Sequence, residues 1–371
     1  MDDNIPKTRV NTVGGLTEIV PYLLGFTPQE SMVLMAVNNR RVEVTARADL
    51  ADVQPPRQLE GLLDRIQHRF PDATIFALAY TEQPEGGWDL LRRSEQHLGE
   101  VDAPIRLLVT GDTWYDVDGH SGPVDRYGPV AAQAAFHGLR RENTRSDLEA
   151  RFRSAPLTDT TRTTILTTLD SLPASHTTPD LTRLTHQLIS RHTADGGANL
   201  DTADAIRLAT LTRHPAAADL AIGVIGNPHG AAQHLSLWTA VVNRIPDRLA
   251  ETALQMAAVS AWIAGEGAIS TVALETADKI KFAPSRTAMR TLLEVVNHQV
   301  IPPSMWGDLR EAILSTTDPM VRALLEADQV SPAATTQQRS TWELVDPPTA
   351  PDPRHQPPPQ EPGRPAAGPS I

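Results

Sequence analysis

The chain of 371 residues carries 33 Lys and Arg against 45 Asp and Glu, a formal net charge of −12. That balance argues against a general binder of nucleic acid or anionic membrane, since both need a basic surface. Cysteine is absent, which removes disulfides, thiol nucleophiles and Cys-based zinc sites, and with only 4% aromatic residues the cores fall to Leu, Val, Ile and Ala.

The acidic, polar start MDDNIPKTRVN lacks the cationic and apolar regions of a signal peptide. No apolar run approaches the ~20 residues of a membrane span, so a cytoplasmic location is expected. Val13, Leu16, Ile19, Val20, Leu23 and Leu24 recur at helical spacing, with Pro21 as a kink or restart. Gly25 suits the left-handed residue beyond a helix end, Phe26 covers the last turn, and Pro28 blocks continuation. The stretch EIVPYLLGFTPQE therefore reads as a helix stop that delivers the chain into a buried strand at 32–37, a structural role.

NNRR at 38–41 reads as a hairpin turn, because Asn tolerates positive φ. In the next strand Val42, Val44 and Ala46 alternate with Glu43, Thr45 and Arg47. Leu59, Leu62, Leu63 and Ile66 mark a helix; 73–80 is a third strand, 88–98 a helix and 104–112 a fourth strand. Alternating strands and helices with a leading hairpin imply a mixed sheet covered by helices.

Beyond about residue 129 strand signals give way to helical candidates that run on to 315. From 331 the chain turns to proline-rich, anchor-poor sequence of disordered, polyproline character. The expected fold class is an α/β N-terminal domain with an antiparallel hairpin over 1–130, an all-α, helical-repeat-like region over 131–325, and a disordered Pro-rich tail over 331–371. Within the helical region, AWIAGEGAISTVALETADKIKFAP at 261–284 resembles one tetratricopeptide helix pair, with a glycine turn and small residues Ala273 and Ala277 at close-packing spacing.

PYLLGFTPQESMVL, VTARADL, GDTWY and AWIAGEGAISTVALETA occur here in that order, and the chain resembles actinobacterial proteins grouped as domain-of-unknown-function family 4192. The resemblance covers roughly residues 9–315 and implies no activity. Many members of that family carry a cysteine cluster soon after the tryptophan of GDTWY, where this chain reads YDVDGHSGPVDRYGP, so no thiol or zinc role carries over.

Candidate binding residues are Arg47 and Asp49 at the end of the second strand and Asp112 and Trp114 at the end of the fourth. On one sheet edge they would border a crevice: Asp49 would orient Arg47 toward a carboxylate or phosphate, and Trp114 would supply a stacking wall. An Arg–Asp surface pair and a satisfied turn carboxylate are the plainer alternative. Asp112, Asp116, Asp118 and His120 form an acidic-His run whose spacing matches no calcium loop, so no metal and no cofactor is expected.

His137, His186, His214, His229, His234 and His298 lack an HExxH spacing and read as surface or capping histidines. The glycines of GVIGNPHG at 223–230 read as a helix–helix connector. These residues favour a non-enzymatic module that binds a protein or a small anionic ligand. The rival is a hydrolase- or transferase-like enzyme using Asp49, Asp112 and Arg47. DNA association through the arginines of 139–153 is opposed by the net charge.

Overall fold

A computed structural model of the chain describes residues 7–10, 12–99, 105–136, 140–172, 177–280, 288–298, 300–329 and 341–344. The first part runs β1 (Lys7–Val10), α1 (Val13–Leu24), β2 (Ser31–Asn38), β3 (Arg41–Asp49), α2 (Leu50–Val53), α3 (Pro56–Arg69), β4 (Thr74–Tyr80), α4 (Pro84–Leu98), β5 (Arg106–Thr110), β6 (Thr113–Asp116) and β7 (Ser121–Pro123). Helices follow: α5 (Pro129–Phe136), α6 (Arg145–Ala150), α7 (Asp159–Asp170), α8 (Thr178–Thr193), α9 (Thr202–Leu211) and α10 (Pro215–Gly223). They continue as α11 (Pro228–Val242), α12 (Asp247–Ile263), α13 (Gly267–Lys279), α14 (Ala288–His298), α15 (Trp306–Thr316) and α16 (Pro319–Gln329), and the short strand β8 (Thr341–Leu344) comes last. The fold is thus an N-terminal α/β part with a mixed sheet, followed by a helical region.

Among the described residues the sheet order is β1-β8-β3-β2-β4-β5-β6-β7. β2 and β3 form the expected antiparallel hairpin, and Asn39 (φ 48°) and Arg40 (φ 65°) both take positive φ at its turn. β3 and β4 each run antiparallel to β2, and β5 is parallel to β4. The carboxyl ends of β3, β4 and β5 therefore share one sheet edge. In register, Ser31 at the start of β2 faces Asp49 on one side and Tyr80 on the other.

Both faces of the sheet are covered, and the period of two sorts the side chains. Leu34, Ala77 and Leu108 pack with Leu59 and Leu63 of α3 and Leu90 and Leu91 of α4. Val33, Met35, Leu78 and Val109 pack with Leu16, Ile19 and Val20 of α1, in a core that continues into the helical region through Trp238, Leu254 and Met256. Each fully buried Leu or Ile here contributes about 1.5–3 kcal/mol of burial free energy.

α12 and α13 pack as a helix pair around Gly265 (φ 77°), with Ala273 and Ala277 buried. The 223–230 stretch does connect two helices, α10 and α11.

The structure differs from the sequence reading in several places. Thr341–Leu344 lie in the stretch assigned to a disordered tail, yet their backbone pairs in parallel with β1 and meets β3 through Arg41 and Glu343. The rest of 331–371 lies outside the described residues. β1, β6 and β7 were not expected, because three or four mostly polar residues carry no readable alternation. α16 lies beyond the last helical candidate at 315 and begins at Pro319, which suits a first helical turn that needs no N–H. His234 is no surface group: it is buried on α11, and burial pushes its pKa down to about 4. His137 lies outside the described residues.

Candidate functional site: a cavity at the carboxyl edge of the sheet

Helix α1 and the loop after it build one side of this site. Thr12 caps α1, its hydroxyl accepting from the Gly15 N–H at 3.0 Å. The helix runs through Pro21, which has no N–H to give to the carbonyl of Thr17 one turn earlier. Gly25 (φ 77°) ends it in the left-handed conformation, as the sequence predicts. The next residues are clamped by a distant segment: the Glu142 N–H donates to the Gly25 carbonyl at 2.8 Å, and the Thr27 N–H to the Glu142 carbonyl at 3.1 Å. That bridge sets Arg141 beside the loop. Its Nη1 donates to the Thr27 hydroxyl at 3.2 Å, its Nη2 to the Arg126 carbonyl at 3.4 Å, and its guanidinium lies 5.5 Å from the Tyr22 ring centroid.

Between these parts and the ends of β4 and β5 lies a cavity of about 340 Å³. Thr17, Glu18 and Pro21 of α1 form one wall, Tyr80 and Val109 lie at the strand ends, and Thr27, Glu30, Arg126 and Arg141 complete the lining with their neighbours. Glu30, in the left-handed region at φ 41°, accepts from the Thr81 hydroxyl at 2.9 Å and the Glu82 N–H at 3.0 Å. The Glu18 carboxylate accepts from the N–H groups of Val130 (3.1 Å) and Ala131 (3.4 Å) in the first turn of α5, where the helix dipole favours negative charge. Burial outweighs those bonds and raises the pKa of Glu18, with Asp125 adding to the rise.

Tyr80 is a buried member of the lining. It is 6% exposed, and its hydroxyl is buried with no hydrogen-bond partner among the described residues. Burial pushes its pKa far up, so the phenol stays protonated and available as a donor.

The residues singled out from sequence lie around this cavity and do not line it. Arg47 and Asp49 are brought together as an ion pair; Arg47 Nε also donates to the Ser31 hydroxyl at 2.9 Å, and its guanidinium lies over Phe26. Asp112 pairs with Arg126 at 2.8 Å and so holds a residue that does line the cavity. Trp114 is buried, and its indole fills the space that a Cβ at Gly122 would take.

Asp116, Asp118 and His120 offer ligand atoms all within 4.8 Å of one another, without Asp112. The Asp116 carboxylate there already accepts from the N–H groups of Asp118 (3.0 Å) and His120 (2.8 Å) and meets His120 Nδ1 at 2.9 Å. Sequence reasoning did not single out Glu18, Glu30, Tyr80, Arg126 or Arg141, which line the cavity.

A family model described as Domain of unknown function (DUF4192) matches residues 14–304. The chain belongs to this family. The match covers every residue that lines the cavity, and the family description assigns no activity. No curated protein and no solved structure matches the chain. Among the described residues no helix is long and apolar enough to cross a membrane.

Proposed function

We propose that the chain is a non-enzymatic binding module that takes a small molecule in the cavity at the carboxyl ends of β4 and β5. One observation carries the reading: Tyr80, whose buried hydroxyl has no partner among the described residues, is one of the residues that line that cavity. Leaving such a group unsatisfied costs about 1–3 kcal/mol, which an acceptor brought by a ligand recovers. The position agrees with the general rule that open α/β sheets take ligands outside the carboxyl ends of their strands. A volume of about 340 Å³ falls at the small end of ligand sites.

The pairing of Arg47 with Asp49 and of Asp112 with Arg126 supports binding over catalysis, because the carboxylates named for an enzyme are spent on neighbouring arginines. Thermal unfolding of the wild type and of Val124→Trp against a panel of polar metabolites tests the proposal. Val124 lines the cavity, and an indole there would fill it. A compound present at a hundredfold its Kd stabilises the wild type by about 2.7 kcal/mol, and Val124→Trp should lose that gain. A gain that survives in the variant, or a panel with no effect on the wild type, would contradict it.

A further inference from the structure

The charges around the cavity are of both signs, and that narrows what fits. Arg126, Arg141, Glu18 and Glu30 are all among the lining residues, and Arg126 also pairs with Asp112 through Nη2 at 2.8 Å. Each group keeps bonding capacity after its internal contacts. A guanidinium has five N–H donors, and Arg141 uses Nη1 on Thr27 and Nη2 on the Arg126 carbonyl. A carboxylate accepts about four hydrogen bonds. Among the described residues Glu30 accepts from the Thr81 hydroxyl on Oε2 and from the Glu82 N–H on Oε1.

A purely anionic ligand would face Glu18 and Glu30, and a purely cationic one would face Arg126 and Arg141. Like-charge juxtaposition of that kind is how a site rejects the wrong partner. Resting on the reading of this cavity as a ligand site, we infer that it takes a small zwitterion, an amine-bearing carboxylic acid, with its carboxylate toward Arg126 and Arg141, its ammonium toward Glu30, and an acceptor atom receiving the Tyr80 hydroxyl. Two-sign recognition selects a class of ligand that neither arginines nor carboxylates alone would define. The protonated phenol contributes a neutral donor.

The test is calorimetric titration with the twenty common amino acids as zwitterions, succinate as a dianion, putrescine as a dication and glycerol as a neutral polyol. Wild type, Tyr80→Phe and Arg126→Gln are compared, with Tm recorded for each. Binding of at least one amino acid is expected, with succinate, putrescine and glycerol silent. Tyr80→Phe and Arg126→Gln should each weaken that binding at least tenfold. Tyr80→Phe should do so with Tm unchanged or raised, because it deletes an unsatisfied hydroxyl; lost folding would instead lower Tm.

Binding of succinate, putrescine or glycerol that depends on Tyr80, with the amino acids silent, overturns the zwitterion and leaves the cavity as the ligand site. Amino-acid binding indifferent to both substitutions overturns the inference and moves the site elsewhere. No binding by any amino acid overturns it as well, and the metabolite panel with Val124→Trp then decides the cavity separately.

Discussion

The Glu18 carboxylate of α1 receives the N–H of Val130 at 3.1 Å, so one helix supplies the N-terminal cap of another more than a hundred residues along the chain. The same carboxylate occupies the space beside Gly128, where an added Cβ would lie 2.5 Å from Glu18 Oε2. Its raised pKa has a definite sign in stability. The folded state holds the proton more tightly than the unfolded chain, so this contribution is full below the ordinary carboxylate pKa and is lost as pH rises through the raised value. Glu18→Gln, which mimics the protonated form, should therefore gain on the wild type as pH rises through that window. Urea unfolding of both proteins from pH 4 to 8 checks it; a gap that widens toward acid would have the wrong sign.

Gly25→Val should destabilise the protein by about 1–3 kcal/mol, because φ at this position is 77° and a β-branched residue resists it. Space is not the obstacle, since a Cβ would meet Ile269 at an ordinary 3.5 Å. Chemical denaturation gives the number directly. A variant as stable as the wild type would refute the backbone explanation of the GFTP turn.

Arg47→Lys should cost about 1 kcal/mol of stability and leave ligand binding in the cavity unchanged. Arg47 joins Ser31, Asp49 and the Phe26 ring at once through a planar fork, and an ammonium cannot reach all three. Paired denaturation and titration measurements separate the two readouts. Loss of binding without loss of stability would return Arg47 to the site.

His234 should give the protein an acid-sensitive step. Burial holds its pKa near 4, so its contribution is present above the ordinary imidazole value and is lost as pH falls toward the folded one. The full loss is on the order of 3 kcal/mol, spread from about pH 6.5 down to about 4. In His234→Leu that stretch of the stability curve should flatten. An unchanged slope would mean that another group titrates there.

Much of the fold was legible in the sequence, because its signals are local. The stretch 73–80 is a short apolar run and became β4 from Thr74 to Tyr80; Gly25 needed only a helix end and a following Pro to announce its positive φ. The cavity was not legible, because its determinants are long-range. Nothing near Arg141 says that Glu142 will bridge to Gly25 and Thr27, and nothing near Tyr80 says that its hydroxyl will go unpaired. The shared edge of β3, β4 and β5 depends on strand directions that a hairpin leaves open from sequence. The four candidates chosen at strand ends lie outside the lining, which joins α1, the GFTPQE loop and residues 124–141 with Tyr80, Thr81, Glu82, Val109 and Gly111 at the ends of β4 and β5.

The most direct test of a ligand in this cavity is an NMR titration of protein carrying ¹³C at the ζ carbon of tyrosine. The chain has four tyrosines, so four resonances report, and Tyr80→Phe assigns the critical one. Compounds from the metabolite panel are added singly to saturation. The expected result is that a binding compound shifts the Tyr80 resonance as the hydroxyl gains its acceptor, while Tyr115 and the largely exposed Tyr127 stay in place. A compound that binds and leaves Tyr80 unmoved, or a full panel that never moves it, would contradict the assignment of this cavity as the ligand site.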